Sequence, residues 1–144
     1  MRKVFADTVY WVAIVKPGDP YKAAAEEARR AVGPCITVTT DEVLCEFVTA
    51  FRSGGPMLRK KAAETVRKIF DNPNVKVVVQ SRESFLYALD RFSNRPDKQY
   101  SLTDCSSMNV MDTEGIKDVQ THDHHFEQEG YNVLIRPARS GVRD

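Results

Sequence analysis

Cysteine is scarce in this chain. Three residues, Cys35, Cys45 and Cys105, stand in apolar runs without C-x-x-C spacing. An odd number so placed excludes a disulfide framework and a cysteine-based metal site, and it fits a reducing compartment; the expected location is the cytoplasm. Histidine is confined as well as rare: His122, His124 and His125 are all the chain has. Long hydrophobic runs are missing. The longest, residues 9–15, has seven residues, far fewer than the ~20 that cross a bilayer, so no membrane association is expected. The opening MRKVFADT lacks the layout of a secretory signal. Neither sign of charge dominates: 21 Lys and Arg face 20 Asp and Glu for a net +1. No global field therefore announces a nucleic-acid partner.

What is present is alternation. With 42% hydrophobic residues in 144, the chain is long enough for one domain with a real core. KVFA (3–6) reads as a short buried strand and TVYWVAIV (8–15) as a buried helix stopped by Pro17-Gly18. PYKAAAEEARRAV (20–32) reads as an Ala-rich helix with Asp19 as its cap and Pro20 in its first turn. CITVT (35–39) alternates and is β-branched. DEVLCEFVTAF (41–51) carries its apolar residues at helical spacing. After Gly54-Gly55-Pro56 comes a basic helix, 57–70. Then follow a strand (75–80), a helix (82–93), a helix closed by Gly115 (102–114), a strand (118–121), one or two helical turns (124–130) and a last strand (131–135). Strands separated by helices predict an α/β chain with a central, mainly parallel sheet. Its expected extent is 1–135, with a basic C-terminal tail at 136–144.

In an open parallel sheet, ligands gather beyond the carboxyl ends of the strands. Asp7 follows the first strand and Asp123 the strand at 118–121. Glu42 and Glu46 ride the helix after the second strand, and Asp104 opens the helix at 102–114. Clustered carboxylates are costly unless a cation offsets them, and oxygen ligands suit Mg²⁺ or Mn²⁺. Each acid also has an ordinary role open to it. Asp7 and Asp123 can cap the helices that follow them. Asp104 completes S-x-x-D with Ser101, and Glu42 completes a capping box with Thr39; for Glu42 the cap is the expected role. No cap accounts for Glu46, whose ordinary role would be a solvated place on the polar stripe.

The HDHH cluster contains D-H-H, which resembles part of the metallo-β-lactamase motif, and H-D, which resembles the HD phosphohydrolases. Both need further histidines that this chain lacks. Three histidines in so short a turn cannot all face one zinc ion. They are expected to be exposed turn residues beside an important Asp.

Taken in order, VFADTVYWVAIV, TTDEVLCEFVTAF, YSLTDCSSMNVM and THDHHFEQEGYNVL resemble the successive signatures of a PIN domain, most of all the VapC-type toxins of prokaryotic toxin–antitoxin pairs. The resemblance covers residues 3–134. It implies a PIN-like three-layer α/β/α sandwich and a metal-dependent ribonuclease. By motif, its acidic quartet falls on Asp7, Glu46 (the V-x-x-E position from Val43), Asp104 and Asp123. Asp7, Asp104 and Asp123 would hold Mg²⁺ or Mn²⁺. A VapB-like antitoxin, an RNA substrate and a homodimer are implied as partners. One departure stands out: where the family has Ser or Asn two residues after the first Asp, this chain has Val9. Thr8, Thr103 and Thr121 remain as hydroxyls beside the acids.

Three readings compete. The first is the nuclease toxin. The second is a PIN-fold module, weak or inactive in catalysis, that binds RNA or protein. The third is a phosphatase-like hydrolase, which would need D-x-D-x-T; DTVYW lacks the second Asp. The basic residues of 57–70, Arg59, Lys60, Lys61, Arg67 and Lys68, are either a phosphate track or a solvated helix face.

Overall fold

The computed structural model describes residues 1–137. β1 (Lys3–Ala6) leads through Asp7 into α1 (Thr8–Val15), followed by α2 (Lys22–Val32) and β2 (Ile36–Thr40). Next come α3 (Asp41–Thr49), α4 (Gly55–Asp71) and β3 (Val75–Val78), then α5 (Arg82–Ser93) and α6 (Leu102–Glu114). The described chain closes with β4 (Asp118–Gln120), α7 (His124–Gln128) and β5 (Asn132–Val133).

The five strands form one sheet in the order β3-β2-β1-β4-β5, and every pairing is parallel. The expected sheet was mainly parallel; among the described residues it is wholly so. Val4, Phe5 and Ala6 are all buried. Consecutive burial, rather than alternation, marks a strand covered on both faces, and the helices supply the two outer layers of an α/β/α sandwich. Phe5 pairs with Val38 on one side and with Val119 on the other. Around them pack Phe47, Met108, Met111, Phe126 and Ile135, all fully buried. Helix α6 runs through this interior, which is why Cys105, Ser106, Ser107, Met108 and Met111 are buried along it.

The strand order decides where a site can form. The chain steps outward from β1 to β2 and β3, then crosses back to place β4 and β5 on the other side of β1. The strand order therefore reverses between β1 and β4, and the carboxyl ends of these two strands are where an open sheet of this kind takes its ligands. Asp7 N–H donates to Gln120 O there at 3.2 Å, tying the first residue after β1 to the end of β4.

Several boundaries differ from the sequence expectation for local reasons. Helix α2 begins at Lys22, with Tyr21 in the cap position. Asp19 does not cap it; its carboxylate accepts from Tyr21 N–H at 2.8 Å, a local turn that leaves Pro20 ahead of the helix. Helix α4 starts earlier than expected, at Gly55, because Pro56 fits its first turn. Glu42 closes no capping box. The cap of α3 is Thr40, whose hydroxyl accepts from Val43 N–H at 3.1 Å. Thr39 is instead buried, donating to Ala6 O at 2.9 Å and accepting from Trp11 Nε1 at 3.3 Å. Of the basic tail, residues 138–144 lie outside the described residues; Arg136 pairs with Glu127.

Candidate metal centre

Asp7 occupies the cap position of α1, yet its side chain makes no cap hydrogen bond. It turns into the crevice, where it is 5% exposed and accepts from the buried Thr121 hydroxyl at 2.9 Å. Burial pushes its pKa up to about 7. The Thr8 amide and the Thr121 hydroxyl pull downward, while the charges of Asp104 and Glu46 push further up. Burial thus disfavours the charged form of this carboxyl unless a cation stands beside it.

Glu46 reaches the same place from α3. Its Oε1 accepts from Thr8 Oγ1 at 2.6 Å, across the packed pair α1 and α3. The residue itself stays exposed, at the rim. Glu42, one turn earlier, points elsewhere: the buried Ser106 hydroxyl of α6 donates to its Oε2 at 2.5 Å. The two glutamates thus have different partners, and only Glu46 stands beside Asp7.

Asp104 and Asp123 both cap and converge. Ser101 and Asp104 form a reciprocal capping box on α6, with Asp104 Oδ2 accepting from Ser101 N–H at 3.1 Å and Ser101 Oγ accepting from Asp104 N–H at 3.0 Å. Asp123 caps α7, its Oδ1 accepting from His125 N–H at 2.9 Å. Capping does not exclude a second role, because a carboxylate has about four lone-pair sites. Burial and the Asp123 charge push the Asp104 carboxyl above its usual range, against the pull of the Ser101 amide and His125.

The histidines divide. His122 stacks on Tyr21, ring centroids 3.8 Å apart. His124 has a side chain 71% exposed, as expected of a turn histidine. His125 departs from that expectation: its side chain is 20% exposed, and its Nδ1 lies 3.3 Å from Asp104 Oδ2 and 3.4 Å from Asp123 Oδ1. Among the described residues, Asp104, Asp123 and His125 form a group whose ligand atoms all lie within 4.8 Å of one another. The spacing D-x-H in "HDHH" was the available signal. It does not show which of three adjacent histidines turns inward.

No Lys or Arg among the described residues pairs with Asp7, Glu46, Asp104 or Asp123; His125 lies beside Asp104 and Asp123, and His124 within 4.0 Å of Asp123. Oxygen donors from four parts of the chain, with no Lys or Arg among the described residues to offset them, match the requirements of a hard divalent cation. Near Val9 two hydroxyls meet the acids: Thr8 donates to Glu46 and Thr121 to Asp7.

A parallel sheet in this order, with acids from β1, α3, α6 and the end of β4 at its point of reversal, is the PIN-like α/β/α architecture that the sequence motifs resemble. The crystal structure of Mycobacterium tuberculosis VapC20, a sarcin–ricin loop cleaving toxin, superposes on it with a TM-score of 0.79 and 26% sequence identity, covering 93% of this chain and 99% of that one. The likeness bears out the resemblance to PIN-domain, VapC-type toxins over nearly the whole chain. No family model and no curated protein matches the sequence.

Proposed function

We propose that this chain is a divalent-metal-dependent endoribonuclease acting as the toxin of a toxin–antitoxin pair. The observation that carries the reading is the convergence of Asp7, Glu46, Asp104 and Asp123 at the sheet's point of reversal, with no Lys or Arg among the described residues paired to them. The structural likeness to a ribonucleolytic toxin supports it.

In this reading Asp7, Asp104 and Asp123 hold Mg²⁺ or Mn²⁺. When bound, such an ion stabilises the charge that develops on a phosphodiester during displacement. Glu46, at the exposed rim and oriented by Thr8, accepts the proton of the attacking water. The water oxygen forms its bond to phosphorus in line as the P–O3′ bond breaks, and the departing 3′ oxygen takes a proton from solvent, leaving a 5′ phosphate and a 3′ hydroxyl. Unpaired or looped RNA can bring its backbone to such a crevice. The chain works in the cytoplasm, where its substrate lies and its free cysteines stay reduced. Residues 1–135 form the nuclease domain and 136–144 a basic appendage.

The partners follow from the same site. An acidic crevice is filled best by Arg, whose planar fork bonds carboxylates in pairs. We infer a VapB-like antitoxin that inserts a basic side chain near Asp7 and Asp104. A homodimer through α3 and α4 would cover Val48, Met57 and Phe70, which are exposed in the single chain.

The test is RNA cleavage. Purified protein is incubated with an RNA carrying the sarcin–ricin loop and with unrelated stem–loops, in Mg²⁺, Mn²⁺ or EDTA. Metal-dependent 5′-phosphate products lost in Asp7→Asn are expected. Binding without cleavage under every metal would instead leave a PIN-fold binding module.

A further inference from the structure

We infer that His125 is a direct ligand of the metal, so that the centre is a mixed nitrogen–oxygen site and selects first-row transition ions over Mg²⁺. The inference rests on the metal centre proposed above and adds a ligand that the acidic quartet does not contain.

The argument begins with placement. His125 is the second residue of α7, and its own backbone N–H is held by Asp123 Oδ1 at 2.9 Å. That contact fixes where the side chain leaves the helix. Its ring meets the ring of the buried Tyr100 edge-on, with centroids 5.4 Å apart. Tyr100 is anchored in turn: its hydroxyl donates to Glu129 Oε2 at 2.9 Å, and Glu129 also accepts from Arg91 at 3.1 Å and Arg95 at 3.2 Å. The imidazole is therefore supported from behind and aimed at the two carboxylates.

Distance then favours ligation. Nδ1 lies 3.3 Å from Asp104 Oδ2 and 3.4 Å from Asp123 Oδ1. With metal–ligand bonds of about 2.1 Å, adjacent ligands of a six-coordinate ion lie about 3 Å apart. Nδ1 thus already stands at nearly the spacing of a neighbouring ligand from each carboxylate, and the three ligand atoms all lie within 4.8 Å of one another. Chemistry sets the selectivity. Mg²⁺ takes oxygen ligands and keeps its waters, whereas imidazole nitrogen suits transition ions. Two carboxylates and one imidazole favour Mn²⁺, and still more the later ions of the series, over Mg²⁺.

The experiment is pulsed EPR on the full chain loaded with Mn²⁺, with Mn²⁺ and Mg²⁺ affinities measured by calorimetry. A directly coordinated ¹⁴N coupling is expected in the parent and in His124→Gln, and is lost in His125→Gln. That variant is expected to lose roughly ten-fold or more of its Mn²⁺ affinity, as for other metal-site changes, and only a few-fold for Mg²⁺. Mn²⁺ bound by the parent without ¹⁴N coupling would make His125 a counter-ion only; the inference then fails and the nuclease reading stands on the acids. Coupling that persists in His125→Gln overturns it equally. Failure of the parent to bind either ion removes both the inference and the metal centre beneath it.

Discussion

Thr121 Oγ1 donates to Asp7 Oδ2 at 2.9 Å and accepts from Asp123 N–H at 3.2 Å. One buried hydroxyl couples the acid that follows β1 to the acid that follows β4, at the place where the strand order reverses. Thr121→Val keeps the shape and removes both bonds. It is expected to cost roughly 1–3 kcal/mol of stability and about 10–100-fold in metal affinity. Thr121→Ser, which keeps the hydroxyl, restores most of the affinity. Calorimetric Mn²⁺ titration of the two variants checks this; equal affinity in the valine variant and the parent would show that the hydroxyl does not orient Asp7.

Asp7 gives the pH dependence of the metal-free protein. Its folded pKa of about 7 lies above the ordinary 3.8, so between these values the folded state holds more proton than the unfolded one. Stability therefore falls as pH rises from about 4 to about 7 and levels off above. Asp7→Asn cannot ionise. In EDTA at pH 8 it is expected to be more stable than the parent by roughly 1–4 kcal/mol, with the difference vanishing near pH 4. Added Mn²⁺ raises the melting temperature of the parent and not of the variant, while RNA cleavage by the variant is abolished. Thermal melts at the two pH values, with and without Mn²⁺, test the sign.

Glu46 and Glu42 separate by partner. Glu46→Gln is expected to lower cleavage by about 100-fold or more, the usual scale for a lost general base, with little change in melting temperature because the residue is exposed. Glu42→Gln keeps an acceptor for Ser106 Oγ and is expected to change activity by no more than a few-fold. Single-turnover cleavage rates distinguish them. Equal losses of rate would mean that both glutamates serve the crevice and that their separation by face is wrong.

Glu129 anchors α7 from behind. Its side chain is 10% exposed and that of Arg91 14%. Burial pushes Glu129 upward, but hydrogen bonds from Arg95, Tyr100 and Arg91 outweigh it and hold the carboxyl below its ordinary value of 4.5. A depressed carboxyl contributes stability above its unfolded pKa and loses it as pH falls through the folded one. Glu129→Ala is expected to cost about 1–3 kcal/mol at pH 7, since Arg91 and Arg95 lose their shared partner while Arg91 keeps Asp112. The penalty shrinks as pH falls through the depressed folded pKa of the parent's Glu129, below the ordinary 4.5. Denaturant unfolding at pH 7 and pH 3 measures both limbs; a penalty that is the same at both would show a packing loss rather than a charge.

Much of this protein is determined by sequence alone, because much of it is local. Helices and strands announce themselves through periodicity and caps, which join residues within a turn of one another. The Ser101–Asp104 box and the left-handed Gly115 stop appear where the pattern places them. The order of the four acidic motifs is likewise a property of the chain, and so is the absence of cysteine or histidine sets able to build another centre. Tertiary structure decided the rest. Which glutamate of α3 meets Asp7 depends on how α1 packs on α3, so that Thr8 reaches Glu46 and Ser106 reaches Glu42. Whether a capping carboxylate also faces a site depends on the strand order, since only the return of β4 to the side of β1 brings Asp123 and Thr121 to Asp7. Which histidine turns inward depends on Tyr100 and on the Glu129 network behind it. These contacts join residues tens to more than a hundred positions apart, and their free energy exists only once the sheet has closed the distance.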